Sequence, residues 1–589
     1  MSRNNSDQMK DILNPTDNSG NAEPPQKDGP SKQRLHSDTG DEGTTHSMSG
    51  RAEHVGHQGA MHTLRSLNKM PDCLRGQLNQ LSNSPEHTVL IDTVCFRAGL
   101  IAPYQRHHVW DASHVKLPHI YQPPAAHQSS HKSSHDTHHA QPSRWQVTQT
   151  VLNKLKGNFS IGDIQTAIMA YNSSYKKIWT FEALQYYGQK VNSMDNCLNT
   201  VIPKMAKLAL DLPDLIQQPI PLLRRQQYRA ITLSQQQISC LLANAFFCTF
   251  PHRNNTKQSS EYASFPTINF NSLFCNPMRD QEQAVKKAQK LRAIFHYFTT
   301  VTSDSSDVPP QSKPDGLVTF ERISIPASQL PDWKNQKKTL KHLEISSKGS
   351  IEEEGTGMLQ VDFACKYIGG GVLGSGLVQE EILFLMSPEL IVARLFTEKL
   401  EDNECLKITG SQVYSLYSGY SKSFEWAGPY FDKTKRDEWK RRYRQIVAID
   451  ALNFKNPKEQ YTKENIKREL NKAYVGFKGD PKTDQENLPA IATGNWGCGA
   501  FNGDPKLKAL IQLMAAAVAK RDMAYFTFGN EKLAKEVQIM HHHLVDKKVT
   551  VDKLYQILKD YCGHYARDHQ AKDLYRYVSE KTGSKHSLL

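Results

Sequence analysis

The sequence has 589 residues, enough for two or three domains. Its formal net charge of +13 indicates attraction to a polyanion but does not identify one, and a solvated basic surface is the default interpretation. The ten cysteines form no CxxC pair, which argues against a zinc site or a disulfide framework and favours a reducing compartment. The N-terminal residues lack an apolar signal core and no stretch of about twenty apolar residues exists, so neither secretion nor a membrane span is expected.

The first 85 residues are rich in Ser, Asn, Asp, Gly, Gln and Lys and have few aromatics. Such a composition cannot bury enough apolar surface to offset the entropy of ordering, so residues 1–85 are predicted to be a disordered tail. Residues 86–143 are predicted to be an extended segment followed by a His-rich linker. The histidines could bind a metal, but the Ser, Pro and Gln around them favour a flexible linker.

Residues 144–260 have a helical pattern and are predicted to form an α-helical domain. Helices are expected over 161–171, 181–191 and 202–210. Ser234 and Gln237 have the spacing of a capping box. The helix that follows them is apolar nearly all round, which predicts a buried core helix.

Residues 261–589 alternate between helical and strand-like patterns, which is typical of an α/β domain. Strands are predicted over 316–322, 446–452, 488–493 and 523–528, and helices over 280–297 and 507–520. The segment 493–504 contains four glycines between a strand and a helix. Such loops at the ends of neighbouring strands would hold a diphosphate from both sides, where α/β sheets usually bind ligands.

The most informative stretch is Val361–Phe396. It reads as a buried strand, then five glycines within residues 369–376, then an amphipathic helix, and a second helix is predicted with Ser387 as its N-cap. A loop this rich in glycine lets backbone N–H groups approach a ligand closely. The pattern predicts an anion site with two carboxylates, Glu380 and Glu381, at its mouth.

The two carboxylates would repel a phosphate, but they would suit a ribose or a glycosidic oxygen. A carboxyl group that protonates a glycosidic oxygen needs a raised pKa. Crowding by Asp362 and Glu380 would raise the pKa of a neighbouring acid, so these acids are expected to perturb one another. The alternative is an ordinary strand-to-helix turn in which the glutamates only complement the helix dipole.

Four motifs in the same order resemble the poly(ADP-ribose) glycohydrolases of animals. They are the triple glycine followed after seven residues by Gln-Glu-Glu, the surrounding segments 358–364 and 376–382, the segment 492–501, and the segment 525–529. The resemblance runs from about His87 to near the C-terminus. It implies a macrodomain-like mixed sheet flanked by helices as the catalytic core, with an α-helical accessory domain before it.

The resemblance also implies roles for individual residues. Glu381 would be the catalytic acid, Glu380 would hold ribose hydroxyls, and Asp362 would orient the ligand. The implied substrate-binding residues are Ile351 and Glu352 at the adenine, Gly370, Gly371 and Gln379 along the substrate backbone, Tyr420 over the adenosine diphosphate, and Asn495, Phe501 and Phe528 at the second loop and the ribose end.

One position departs from the family. The vertebrate pattern has Asn after Val-Asp-Phe-Ala, where it contacts the substrate ribose, and this sequence has Cys365. A thiol is a weak donor and a poor acceptor, so a ribose contact would be weakened if the position keeps that use.

The function implied by the resemblance is hydrolysis of ribose–ribose O-glycosidic bonds in poly(ADP-ribose), with no metal and no other cofactor. Expected partners are poly(ADP-ribose), ADP-ribose and ADP-ribosylated proteins, for a monomer in the nucleus and cytoplasm that acts in the DNA damage response. Neither a membrane nor direct DNA binding is expected. Three alternatives stay open: a non-catalytic reader of ADP-ribose chains, a hydrolase of the terminal protein-linked ADP-ribose, and, on charge alone, a nucleic-acid-binding protein.

Overall fold

The computed structural model describes residues 67, 69, 81–120, 142–195, 197–255, 257–276, 280–304, 306–479, 488–567 and 572–583. All of them belong to the unit Ser66–Leu589. Nearly all of the predicted tail and the predicted His-rich linker lie outside the described residues.

Nine strands of the described residues form one mixed sheet, and two more form a hairpin. The strands are β1 His87–Val89, β2 Arg229–Ser234, β3 Leu317–Ser324, β4 Leu343–Ser346, β5 Leu359–Ala364, β6 Glu404–Gly410, β7 Ser415–Ser418, β8 Glu425–Pro429, β9 Arg442–Asp450, β10 Ile491–Gly494 and β11 Met523–Phe526. The sheet order is β1-β2-β3-β6-β9-β5-β10-β11-β4, and β7 and β8 make the hairpin. From β9 to β4 all neighbours are parallel, whereas β2, β3, β6 and β9 pair antiparallel in sequence.

The helices lie before, between and after these strands. They are α1 Thr93–Arg97, α2 Arg144–Lys154, α3 Ile161–Ala170, α4 Glu182–Tyr186, α5 Asn192–Asp195, α6 Leu198–Leu210, α7 Leu212–Leu215, α8 Gln235–Phe246, α9 Asn271–Phe274, α10 Gln281–Val301, α11 Ile351–Glu354, α12 Gln379–Met386, α13 Ala393–Phe396, α14 Lys463–Phe477, α15 Pro505–Ala519, α16 Glu531–Asp546, α17 Val551–Arg567 and α18 Leu574–Lys581. Among the described residues, no helix is both long enough and apolar enough to cross a bilayer.

The sheet separates two hydrophobic cores. Successive residues of a strand point to opposite faces. In β9, Ile446 and Ala448 accordingly join the core shared with the helices before β3, while Val447 and Ile449 join the core shared with the C-terminal helices. The predicted helical and α/β regions are therefore packed on one sheet, to which 144–260 contributes β2.

The predicted alternation of strands and helices is confirmed, and so is the capping box. The Ser234 hydroxyl accepts the N–H of Gln237, and the Gln237 side chain accepts the N–H of Ser234, at the start of α8. Every residue of α8 except Gln236 is buried, as the all-round apolar pattern predicts.

Two predicted helices are present but differ in type from an α-helix. The chain after Ser387 forms a 3₁₀ helix over Pro388–Val392, and the Ser387 hydroxyl caps nothing. Ser387 is completely buried, and its hydroxyl has no hydrogen-bond partner among the described residues, so packing and not capping decides this turn. The helix predicted over 181–191 is α-helical only over Glu182–Tyr186 and continues as a π-helix over Tyr187–Val191.

Candidate active site

The glycine loop lies where β5 ends, at the carboxyl edge of the parallel half of the sheet. β5 is central, between β9 and β10. Its register with β10 joins Leu359 to Ile491 and Gln360 to Ala492 and goes no further, so the two strands part toward their carboxyl ends. A crevice between diverging parallel strands is the usual ligand site of α/β folds.

Four backbone N–H groups hold the two adjacent glutamates. Glu380 accepts the N–H of Gly369 at 2.6 Å and that of Cys365 at 2.8 Å. Glu381 accepts the N–H of Gly371 at 2.8 Å and that of Val378 at 2.9 Å. Both side chains are almost completely buried. The carboxylates are thereby fixed at the start of α12, although each remains able to use its other lone pairs.

The bond from Val378 shows that the capping interpretation also holds. Val378 is the N-cap of α12, and Glu381, three residues later, accepts its N–H as the acid of a capping box does. A cap alone would not need the second glutamate or the bonds from the glycine loop. Helix capping and site geometry thus use the same carboxylate.

Gly370 is required because no side chain fits between the acids. A Cβ at this position would lie 2.4 Å from an oxygen of Glu381 and 2.8 Å from an oxygen of Glu380. Its φ of +45° is also one that other residues rarely adopt. Glycine therefore lets the backbone pass directly beside both carboxylates.

Asp362 is the third acid of the cluster, and the structure places it beside the other two. Its register partner in β9 is Ala448, so the side chain of Asp362 points to the same face of the sheet as that of Ala448. It is completely buried, and neither carboxylate oxygen has a hydrogen-bond partner among the described residues. A buried acid without donors is costly as an anion.

Burial raises the pKa of Asp362 well above its usual value, and the charges of Glu381 and Glu352 raise it further. Burial also raises the pKa of Glu380 well above its usual value, with Asp362 and Glu381 adding to the effect, while the N–H bonds from Cys365 and Gly369 oppose it. The expectation that these acids perturb one another is confirmed for Asp362 and Glu380. The surroundings therefore favour the protonated form of both acids more than water does.

Cys365 lies against the acids. Its sulfur and the oxygens of Glu380 and Glu381 lie within 4.8 Å of one another, a set that could hold a metal ion. Burial, followed by the charges of Glu380 and Glu381, raises the pKa of the Cys365 thiol. The sulfur is consequently protonated at neutral pH and is a poor metal ligand, since metals bind the thiolate.

Gln379 connects Glu352 to β5. Its side-chain oxygen accepts the N–H of Phe363 at 2.8 Å, and its amide donates to Glu352 at 3.1 Å. Burial raises the pKa of Glu352. Ile351 is buried, and its carbonyl accepts the side-chain amide of Gln360, so its side chain belongs to the core.

The remaining predicted residues fall into two groups. Tyr420 is 54% exposed, and its hydroxyl interacts with the backbone of Gln379. Phe528 is 46% exposed, has a φ of +50°, and meets the ring of Phe363 edge-on at 6.4 Å. The two aromatics therefore contact Gln379 and Phe363, which flank the acids, and their roles toward a ligand stay a prediction. A left-handed aromatic residue is an outlier of the kind that clusters at ligand sites.

The contacts of Asn495 and Phe501 are mainly with other parts of the fold. The side-chain oxygen of Asn495 accepts the hydroxyl of Tyr525 at 3.1 Å. Phe501 packs against the C-terminal core, and its carbonyl accepts the N–H of Phe454 at 3.1 Å. The described contacts do not bring Phe501 to the three acids.

Sequence reasoning missed two buried cations that bind the carbonyls of the glycine loop. Lys290 of α10 donates to the loop from the helical side, and Arg394 of α13 donates to its first residues. Arg394 lies within the apolar run 390–396, whereas Lys290 is one of several basic residues of α10 and directly precedes 291–298. A charged residue on the buried face of a helix was the available signal.

Two family models match most of the folded part of the chain. The model of the poly(ADP-ribose) glycohydrolase helical domain matches residues 190–322, and that of the poly(ADP-ribose) glycohydrolase macro domain fold matches residues 330–535. Poly(ADP-ribose) glycohydrolase 1 of Arabidopsis thaliana is 34% identical over 441 residues, which are 61% of this chain and 77% of the plant protein. The chain belongs to the poly(ADP-ribose) glycohydrolase family.

Similar proteins of this family also occur in a nematode. Poly(ADP-ribose) glycohydrolase 1 of Caenorhabditis elegans is 33% identical over 374 residues, which are 61% of this chain and 43% of the relative. Poly(ADP-ribose) glycohydrolase 2 of the same organism is 36% identical over 291 residues, which are 47% of this chain and 58% of the relative.

Membership of the poly(ADP-ribose) glycohydrolase family confirms the predicted fold class. The macro domain fold corresponds to the parallel half of the sheet with the glycine loop, and the helical domain precedes it. The domain bounds given above stay a prediction, and the two family models divide the chain between residues 322 and 330.

Proposed function

We propose that this protein is a poly(ADP-ribose) glycohydrolase that cleaves the ribose–ribose O-glycosidic bonds of poly(ADP-ribose) and releases ADP-ribose. The observation that carries the proposal is the pair Glu380 and Glu381, buried beside Asp362 and held by four backbone N–H groups at the carboxyl edge of the sheet. The family of the chain supports the same activity.

Glu381 is the group that we assign to proton transfer. Its carboxyl proton goes to the departing ribose oxygen as the glycosidic bond breaks and positive charge develops at the sugar carbon. The carboxylate then accepts a proton from the attacking water, which supplies the new hydroxyl. The proton that Glu381 gave to the leaving group is thereby replaced.

Glu380 and Asp362 are assigned to binding and orientation. The raised pKa values favour the neutral carboxyl form of both, which can donate as well as accept hydrogen bonds. Neutral acids also do not repel the diphosphate of the ligand. In this site Glu380 binds ribose hydroxyls, Asp362 orients the ligand, and Tyr420 and Phe528 cover it from the exposed side.

The substrate environment follows from this activity. ADP-ribosylated proteins carry the polymer, so they are the proposed partners, and ADP-ribose is the product. The proposed setting is the DNA damage response in the nucleus and cytoplasm, with the chain acting as a monomer.

The test follows release of free ADP-ribose over time from automodified poly(ADP-ribose). Glu381→Gln should lower the rate by about two to four orders of magnitude, the usual contribution of a positioned acid and base, with ADP-ribose binding retained. Glu389→Gln is the matched control, because Glu389 is also a buried glutamate but binds Tyr414 and Gln412.

Three outcomes separate the alternatives. A fully active Glu381→Gln protein would show that Glu381 is not the acid. No release by the wild type, with tight ADP-ribose binding by both proteins, would make the chain a reader. Release only from singly ADP-ribosylated protein would make it a hydrolase of the terminal linkage.

A further inference from the structure

Lys290 is a completely buried lysine whose ammonium lies among the carbonyls of the glycine loop. Its Nζ lies 2.5 to 3.2 Å from four of them, those of Gly371, Val372, Gly374 and Gly376. An ammonium has three N–H donors, so four acceptors at these distances use all of them. Removing a cation from water costs several kcal/mol, which these carbonyls offset only if the loop keeps this shape.

The loop whose carbonyls bind Lys290 is also the loop that donates hydrogen bonds to Glu381. A Cβ on Gly371 would lie 2.8 Å from the backbone nitrogen of Gly376, so the chain folds back on itself between these residues. The N–H groups that bind Glu381 belong to Gly371 and Val378, at the two ends of this fold. Opening the fold would move both donors away from the carboxylate.

Arg394 binds the first part of the same loop. It is almost completely buried, and its Nη1 donates to the carbonyl of Ile368 at 2.7 Å and to that of Gly370 at 3.0 Å. Each carbonyl belongs to a peptide group whose N–H comes from the next residue. Those N–H groups are the donors of Gly369 to Glu380 and of Gly371 to Glu381.

A peptide group is planar, so fixing the direction of its carbonyl also fixes the direction of its N–H. Each of the two peptide groups has Arg394 on its oxygen side and a carboxylate on its nitrogen side. Arg394 therefore affects the positions of both glutamates through these two peptide groups and, in the described part of the chain, makes no hydrogen bond to either carboxylate. Lys290 acts differently, because the N–H groups of Gly371 and Val378 do not belong to the peptide groups whose carbonyls it binds. It holds the turn between these two residues, whose N–H groups bind Glu381.

We propose that Lys290 and Arg394 are positioning residues for the proposed glycohydrolase reaction. Arg394 aims the N–H groups of Gly369 and Gly371 at Glu380 and Glu381, and Lys290 holds the turn that keeps the N–H groups of Gly371 and Val378 beside Glu381. The inference rests on the proposed function. It assigns the helical region a direct part in the reaction, because Lys290 comes from α10, 81 to 86 residues before the carbonyls that it binds.

The chain contains a matched control on the same helix. Lys287 is also buried in α10, and its Nζ donates to the carbonyls of Ser272 at 2.8 Å and Cys275 at 2.6 Å, outside the glycine loop. Lys287→Met and Lys290→Met each remove one buried ammonium from backbone carbonyls. Both should lower the melting temperature, but only Lys290→Met should displace the backbone N–H groups that bind Glu381.

The experiment measures kcat and KM for ADP-ribose release from poly(ADP-ribose), with melting temperatures of all variants. Lys290→Met should lower kcat roughly 100-fold, the effect of misplacing a reacting group by about 1 Å, whereas Lys287→Met should change it less than about threefold. In the Glu381→Gln background Lys290→Met should add little further loss, because residues that act through one group are not additive.

A general folding defect predicts a different pattern. Equal losses of kcat in Lys287→Met and Lys290→Met, or the full Lys290→Met factor persisting in Glu381→Gln, would overturn the inference. If Lys290→Met does not fold, Arg394→Lys decides, since it keeps the charge but loses the two-carbonyl reach of Nη1. It should lower kcat while retaining ADP-ribose binding, and an unchanged kcat would contradict the inference. An inactive wild type would instead overturn the proposed function.

Discussion

At the scale of single residues, Asp362 and Asp450 show how the surroundings shift the pKa of the same kind of side chain in opposite directions. Asp362 lies in β5, two residues before its end, and Asp450 is the last residue of the neighbouring β9; both are buried. Asp362 has no hydrogen-bond donor among the described residues, so burial raises its pKa. Burial would also raise the pKa of Asp450, but the charges of Lys472 and Arg468 outweigh it and lower the pKa.

Asp362→Asn should therefore change how stability depends on pH. In the wild type the folded state retains the Asp362 proton above the ordinary Asp pKa, where the unfolded chain has lost it. The resulting stability is fully present at low pH and declines as pH rises toward the raised pKa, by up to about 1.4 kcal/mol per pH unit. Asparagine does not titrate. The free energy of unfolding of Asp362→Asn relative to wild type should thus increase with pH, as urea titrations between pH 5 and pH 8 would measure.

Asp450→Asn is the control with the opposite sign. The lowered pKa of Asp450 contributes stability above its ordinary pKa, and this is lost as pH falls. The variant should be less stable than wild type at neutral pH, and the difference should shrink on acidification. If both variants had the same pH trend, Asp362 would not be the protonated acid described here.

At the scale of elements, the glycine loop shows which glycines the carboxylates require. Gly370 has no room for a Cβ beside Glu380 and Glu381, whereas a Cβ on Gly374 would have only the carbonyl of Gly371 nearby, at an ordinary 3.7 Å. The two positions are four residues apart in one loop. Substitutions at the two positions therefore distinguish an effect on the placement of the acids from an effect on the flexibility of the loop.

Gly370→Ala should lower kcat roughly 100-fold, because the methyl group displaces both carboxylates and the φ of +45° becomes strained. Gly374→Ala should retain kcat within about threefold and should not lower stability, since removing a glycine reduces the entropy of the unfolded chain. Release of ADP-ribose measures the first effect and urea unfolding the second. Equal activity of the two variants would show that the acids are not held as the structure has them.

The elements were largely predictable, and the errors have a tertiary cause. The strand, glycine loop and helix of 361–386 follow from local composition, and so does the capping box at Ser234. Ser-Pro-Glu correctly predicts a helix that begins at Pro388, but the hydroxyl of Ser387 does not cap it. In the folded chain Ser387 is enclosed, and the backbone takes a 3₁₀ turn that fits the core.

At the scale of the whole molecule, the net charge of +13 bears on substrate capture. Poly(ADP-ribose) carries many phosphates, whereas one ADP-ribose carries a single diphosphate. Long-range attraction is screened by salt over a Debye length of about 10 Å at 0.1 M. The KM for the polymer should rise roughly threefold or more between 50 and 300 mM salt, with kcat unchanged.

The control for this prediction is the dissociation constant of free ADP-ribose over the same salt range. It should change much less, because the small ligand contacts only the pocket. An equal salt dependence of the polymer and of ADP-ribose would place the charge effect inside the pocket and not on the surface of the molecule.

The sequence by itself determined the class of the fold, the family and the three acids. These depend on short-range patterns, namely alternating strands and helices, a glycine loop and adjacent glutamates, which are legible without knowing what packs against them. Only the tertiary structure decided that β5 lies between β9 and β10, that Ile351 and Phe501 belong largely to the core, and that Lys290 and Arg394 hold the loop. Such contacts join residues far apart in the chain, and local sequence cannot state which distant carbonyl a buried cation will meet.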